Sequence, residues 1–433
     1  MENSTKQIPT PKALSNKQVG KRREVNDVQY ITSTEALSVL GVRRETFYTY
    51  VSRGLIKSQQ KTGTKTKLYR KADVEKLRTR AAARTGVPTV SQSLRYGEPI
   101  VQTWISEITA RGPRYRGHLA LDLVAQKRSF EFVAELLWTG LPRTRNVAWP
   151  QPLASLNIGA ILEKNSSYYA QTSPLRQLAF IAAGLSAMEL GINDPDAPDV
   201  SANARALIQL FAGAAGLLGP QQKFSEPTSG ESIAHCLARG FAIETTERAV
   251  ELLDAALVLS AEHELSAPTF AVRICASTGA DLFACVAAGL SVQSGPMQVG
   301  GTLEVERLVD EVTTKSGGDS PKLMSALPCF GHPLYDKDPR ATLLLELARQ
   351  FTPQPPAAYK LWNILGEANA TGQCPNIFAA LVFTSYILGL PLGSGAFIHT
   401  LGRTAGWIAH ATEQRLTGTM LRPRARFMGA QTS

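Results

Sequence analysis

The sequence predicts a mainly α-helical chain with a small basic module near its N-terminal end, on three observations. Apolar residues recur at helical spacing in 129–140, 175–190, 203–218, 247–262, 271–292 and 340–350, and convincing strand patterns are nearly absent beyond about residue 90. The chain is 433 residues long, more than one ordinary core holds, so two or more domains are expected. Its formal net charge of +10 is unevenly spread. Up to Gly86 there are ten lysines and nine arginines against seven acids, an excess of 12, so the remainder carries −2. Such a basic segment points to a polyanionic partner.

Composition also excludes classes. The five cysteines, at 236, 275, 285, 329 and 374, show no CxxC or other ligand spacing. Neither a metal site nor a disulfide framework is expected, and a reducing cytoplasm is the simplest setting. The longest apolar runs, such as 377–392, are broken by Gly, Ser, Thr and Pro before the roughly 20 residues a membrane span needs. The first thirty residues are polar, so no signal peptide and no membrane partner are expected.

Residues 1–28, with Lys6, Lys12, Lys17 and the Lys21-Arg22-Arg23 run among Ser, Thr, Asn and Pro, have too little apolar surface to fold alone and read as a disordered basic arm. Residues 29–86 read as a compact unit. Thr32 or Ser33 can cap a short helix with Leu37 and Leu40 on its inner face, Gly41 makes the turn, and Val42 to Ser52 forms a second helix ended by Gly54. Leu55 to Tyr69 holds a Gly-Thr turn between β-prone pieces, and Lys71 to Arg84 reads as another amphipathic helix.

The second helix carries Arg43, Arg44, Thr46, Tyr48 and Arg53, guanidinium and hydroxyl groups suited to phosphates and base edges in a major groove. Lys65, Lys67 and Arg70 lie in the hairpin that would touch the backbone. The plainer alternative is a solvated charged face on a helical cap. The strings STEALSVLGVRRETFYTYVSRGLI and LYRKADVEKL resemble the MerR and excisionase type of winged helix-turn-helix, which implies a DNA partner.

The body lacks GxGxxG after a strand, GxxxxGK[ST], GxSxG and HExxH. What stands out are His and Arg residues in distinctive strings: ITARGPRYRGHLALDLVAQKRSFEFVAELLWTGLP at 108–142, AEHELSAPTFAVRICASTGADLFACVAAGL at 261–290, CFGHPLYDKDPRA at 329–341, LGRTAGWIAHATEQR at 401–415 and LRPRARFMG at 421–429. In this order they resemble citrate synthase over 95–430. The resemblance implies a two-domain all-helical body, with a large domain formed by 87–296 and 381–433, a small mobile domain at 297–380, and a homodimer. It implies no bound cofactor, an acyl-CoA thioester being a substrate.

Residue by residue, the resemblance makes His263 a hydrogen-bonding partner of oxaloacetate and His332 the group that polarises its carbonyl. It makes Arg340, Arg403 and Arg422 the carboxylate clamp, the last reaching across the dimer. Planar, permanently charged guanidinium forks suit that task. The family's acyl-CoA half depends on a histidine donor and an aspartate base. Here the usual GP-x-H-GG string holds Gln298 at the histidine position, and the usual PNVDF reads Pro375-Asn376-Ile377-Phe378-Ala379, with Phe378 where the base belongs. An amide still donates a hydrogen bond, whereas a phenyl ring takes no proton. Pro333 and Asp336 stand where bacterial members commonly carry basic residues. Glu304, Asp336, Asp338 and Glu367, within or near the expected small domain, are the carboxylates that could swing into the cleft and replace the base.

The expectation favoured by these residues is a metabolite-sensing DNA-binding regulator that retains the dicarboxylate site for oxaloacetate, citrate or a relative. The alternative is an active citrate synthase, or a related acyl-CoA/2-oxo acid condensing acyltransferase, with a rearranged base. A helical oligomerisation scaffold is the third reading.

Overall fold

The structure is a computed structural model that describes residues 30–40, 42, 44–60, 67–71, 73–74, 101–151, 159, 173–188, 200–299, 302–314, 329–370, 372 and 374–423. The chain divides into two compact units, Met1–Gln102 and Thr103–Ser433.

In the first unit, strand β1 (Tyr30–Ile31) leads into helices α1 (Ser33–Leu40) and α2 (Arg44–Ser52), followed by β2 (Ser58–Gln60) and β3 (Lys67–Arg70). Thr32 starts α1 through a capping box: its hydroxyl accepts from the Glu35 amide at 3.3 Å, and the Glu35 carboxylate accepts from the Thr32 amide at 2.8 Å. Gly54 ends α2 in the left-handed region at φ +72°, where a side chain would be strained. The three strands form an antiparallel sheet in the order β1-β3-β2. Ala36, Phe47, Ile56, Tyr69 and Val74 form the core. Leu37 and Leu40, the expected inner face of α1, are only half-buried, because the spacing puts Ala36 at the centre. Most of the helix expected over Lys71 to Arg84 lies outside the described residues.

The second unit opens with a short antiparallel sheet of β4 (Ser106–Thr109), β5 (Gly112–Tyr115) and β6 (His118–Leu119). After the sheet the described residues form α3 (Ala120–Ala125), α4 (Phe130–Thr139), α5 (Pro174–Ala187), α6 (Val200–Gly213), α7 (Ile233–Gly240), α8 (Glu247–Ser260), α9 (Ala267–Ser277) and α10 (Leu282–Gln293). They continue with α11 (Thr302–Thr314), α12 (Pro339–Gln350), α13 (Ala358–Ala370), α14 (Ile377–Ile387) and α15 (Ser394–Thr417). Side-chain caps set several starts: Ser129 accepts from the Phe132 amide, Thr246 from Ala249, and Asp281 from Phe283 and Ala284. The stretch 271–292, expected as one helical pattern, is two helices, because Gly279 at φ +83° and the Asp281 cap break it.

Helix α15 is the axis of this unit. Every residue from Ser394 to Ala411 is buried, and the helix packs on α4, α8, α9, α10 and α14. Small residues permit the closest approach. A Cβ on Gly402 would stand 2.8 Å from the Leu257 carbonyl, and one on Gly406 would stand 2.5 Å from the Ala261 carbonyl. The Gly406 amide donates to that Ala261 carbonyl at 3.1 Å, which fixes the end of α8 against the middle of α15. A second apolar cluster, separate from the main core, joins Val305 and Val309 of α11, Leu361, Ile364 and Leu365 of α13, and Ala379, Val382 and Phe383 of α14.

Among the described residues no helix is long and apolar enough to cross a membrane, and no group of His, Cys, Asp and Glu could hold a metal ion.

Candidate functional site

Four segments meet at one buried polar cluster. The turn between α8 and α9 carries Glu262 and His263, and the loop before α12 carries His332, Tyr335 and Asp338. Arg340 opens α12, Phe378 lies in the first turn of α14, and α15 contributes His399 and Arg403, one helical turn apart and therefore on one face. The rings of His263 and His332 stand 5.2 Å apart, those of His332 and Tyr335 4.7 Å, and those of His263 and Tyr335 5.8 Å.

Each arginine has its own carboxylate. Arg340 donates from Nε and Nη2 to the two oxygens of Asp338 at 3.0 and 2.8 Å. Asp338 also accepts from the amides of Arg340 and Ile377, so it ties the starts of α12 and α14 together. Its four acceptor positions are filled and it is no free base. Burial raises its pKa, but the charge and hydrogen bonds of Arg340 outweigh that and hold it low. Arg403 donates from Nη2 to Ser266 and Thr269 at 3.1 and 2.8 Å, with Nη1 3.7 Å from Glu262. Glu262 accepts from Ser106 at 3.1 Å and pairs with His410 at 3.2 Å. Its burial is countered by Arg403 and His410, which hold its carboxyl at about 2. His410 in turn contacts the fully buried Arg273, which also bonds Gln414 and Glu413. A continuous polar chain therefore anchors Arg403 to the body.

The histidines are neutral. Burial, followed by the charges of Arg340 and Arg403, pushes His263 well below its ordinary value, and the same causes act on His399 with Arg403 first. Burial and then Arg340 lower His332 to about 4. The Leu334 amide donates to His332 Nδ1 at 3.0 Å, so the ring proton stands on Nε2 and makes that atom a donor. His263 Nε2, the Tyr335 hydroxyl and Arg403 Nη1 are buried and have no hydrogen-bond partner among the described residues. Burial pushes the Tyr335 phenol up to about 12, so it too is a donor at neutral pH.

The structure brings His263, His332, Arg340 and Arg403 together. Gln298 is half-buried in the turn after α10; its neighbour Val299 packs with Leu175, Ala396 and Phe378. Phe378 packs against the apolar clusters and its ring stands 4.7 Å from that of His399. Arg422 is exposed, beyond the end of α15. Of the other carboxylates weighed as a base, Glu304, Asp336 and Glu367 are exposed on the surface. Sequence reasoning missed Glu262, Tyr335 and His399. Tyr335 and Glu262 stand within or beside strings already singled out, and His399 lies four residues before Arg403, a spacing that marks one helix face.

In the first unit, Arg44, Thr46, Tyr48, Arg53 and Lys67 are exposed while Phe47 between them is buried, and Arg70 is half-buried. Arg43 and Lys65 lie outside the described residues.

The described residues thus form a mainly helical protein with two carboxylate-paired arginines and three neutral histidines around one cluster. The citrate synthase C-terminal domain model matches residues 95–424. This chain belongs to the citrate synthase family. A citrate synthase from Haloferax volcanii is 29% identical over 342 residues, covering 73% of this chain and 89% of that protein. A putative citrate synthase 2 from Mycobacterium tuberculosis is 30% identical over 339 residues, covering 73% and 86%. A 2-methylcitrate synthase from the same species is 27% identical over 345 residues, covering 73% and 84%. Among solved structures, the citrate synthase of Thermoplasma acidophilum, in a ternary complex with carboxymethyl coenzyme A and oxaloacetate, shares the fold with a TM-score of 0.62 at 20% identity, covering 77% of this chain and 95% of that one.

Proposed function

We propose that the cluster of His263, His332, Arg340 and Arg403 binds a 2-oxo dicarboxylate of the oxaloacetate class, and that the chain is a condensing acyltransferase of the citrate synthase type. The observation that carries the binding half is the set of buried polar atoms without a hydrogen-bond partner among the described residues, His263 Nε2, Tyr335 Oη and Arg403 Nη1, beside the proton-bearing Nε2 of His332. Groups left so in a buried site cost stability unless a ligand meets them. An anion with two carboxylates and a carbonyl supplies acceptors for the Tyr335 hydroxyl and Arg403 Nη1, and for His263 Nε2 in the tautomer that carries its proton there. Arg403 and the face of Arg340 not held by Asp338 would take the carboxylates, and His332 Nε2–H would polarise the carbonyl. Arg422 would act at a partner's cluster in a homodimer, and segment 297–380 would close over the bound acid. The condensing half is supported by family membership and by relatives named citrate synthase and 2-methylcitrate synthase. Acetyl-CoA or a homologue would be the second substrate, Gln298 would donate to its carbonyl, and the base would be a group other than residue 378.

One observation favours a second reading. By the resemblance of its string, Phe378 stands at the family's base position, and loss of a positioned base typically forfeits about 10²–10⁴ in rate. In that reading the chain is a cytoplasmic metabolite-sensing regulator whose N-terminal segment, a winged helix-turn-helix of the MerR type, contacts DNA through Arg43, Arg44, Thr46, Tyr48, Arg53, Lys65, Lys67 and Arg70. CoA release from acetyl-CoA and oxaloacetate decides between the two. Turnover by the wild type at ordinary rates supports the enzyme; release only after Phe378→Asp supports the regulator. Calorimetric titration showing no oxaloacetate binding at millimolar concentration defeats both.

A further inference from the structure

His399 has no assigned role, yet it stands beside Phe378, the residue that the string resemblance puts at the family's base position. Its ring lies 4.7 Å from Phe378, and it shares a helix face with Arg403. The side chain is held by one strong contact: Gln293 Nε2 lies 2.9 Å from His399 Nδ1. An amide nitrogen only donates, so Nδ1 accepts and the imidazole proton stands on Nε2. The ring is therefore oriented as a hydrogen-bond donor.

Charge counting says what this donor suits. Arg340 is already balanced by Asp338, and Arg403 by Glu262. A further carboxylate at residue 378 would leave the cluster net negative before any anion arrived. Phe378 removes that repulsion, and the adjacent His399 provides a donor in its place. We propose that His399 receives a third carboxylate, so that the site takes a tricarboxylate in preference to a dicarboxylate. The proposal rests on the carboxylate-binding half of the function given above and holds whether the bound acid is a reactant or a regulatory signal. Burial, followed by the charges of Arg403 and Arg340, keeps His399 neutral, so it meets the carboxylate as a neutral Nε2–H donor.

The test is calorimetric titration of the full-length protein with citrate and, as a non-condensing dicarboxylate, malate. The wild type is expected to bind citrate at least about tenfold more tightly than malate, the range of a hydrogen bond to a charged group. His399→Phe removes that advantage while leaving malate affinity in place. His399→Gln, which keeps an amide donor, restores most of it, and Phe378→Asp weakens citrate more than malate. Loss of packing alone would lower both affinities together. Malate binding with no preference for citrate, or a ratio unchanged in His399→Phe and His399→Gln, overturns the proposal alone. Absence of binding for both acids overturns the carboxylate site and the proposal with it. Should His399→Phe fail to fold, the ratios in His399→Gln and Phe378→Asp decide.

Discussion

Replacing Glu262 by Gln tests whether the polar chain behind Arg403 is held by charge. The carboxylate is fully buried, 3.7 Å from Arg403 Nη1, and bonded to His410 and Ser106. Its carboxyl is held at about 2 against an ordinary 4.5, a difference worth about 3 kcal/mol of folding stability at neutral pH. The sign comes from linkage. A lowered pKa means that the unfolded chain binds the proton first, so the stabilisation is complete above the unfolded value and is lost as pH falls through about 2. At pH 3 about 1 kcal/mol of it should remain. Glu262→Gln also leaves a buried guanidinium uncompensated, so the expected loss at pH 7 is about 3–5 kcal/mol. Urea unfolding of both proteins between pH 7 and pH 3 measures the gap. The gap should narrow by about 2 kcal/mol over that range. A loss below about 1 kcal/mol at pH 7, or a gap that does not change with pH, would refute the argument.

Gly406→Ala drives a Cβ against the Glu262 carboxylate and the Ala261 carbonyl and should cost about 1–3 kcal/mol or more, whereas Gly184→Ala, in open space on α5, should stabilise by up to about 1 kcal/mol; thermal melts of opposite sign check the pair. Tyr335→Phe should raise the Kd for oxaloacetate about two- to tenfold without lowering the Tm, because its buried hydroxyl has no protein partner to lose; unchanged affinity in calorimetry would remove Tyr335 from the site. Under the regulator reading, affinity for DNA should fall steeply with salt, and Arg44→Ala and Lys67→Ala should each reduce the slope by about one in a salt-titrated binding assay.

Much of the helical frame was legible because its signals are local. The period of the apolar residues marks α4, α8 and α12, and Ser129 and Thr246 cap the first two. Helices α14 and α15 were not legible from period, because they are buried on nearly all sides and carry no solvent-facing polar stripe. The small sheet of β4, β5 and β6 was missed for another reason. Its strands are two to four residues long and are defined by pairing such as Glu107 with Arg114, which no alternation in so short a run reveals.

By itself the sequence determined which residue types are available and in what local setting. It supplied guanidinium groups at 340 and 403, imidazoles at 263, 332 and 399, and a phenyl ring at 378 that can accept no proton. Only the tertiary structure decided what those groups do to one another. The pairing of Arg403 with Glu262 depends on glycines at 402 and 406 letting α15 approach the end of α8. The protonated nitrogen of His332 and that of His399 depend on a backbone amide in one case and on Gln293 in the other. Ionisation and tautomer are set by desolvation and by neighbours a few ångströms away, and the chain brings those neighbours from distant positions only when it folds.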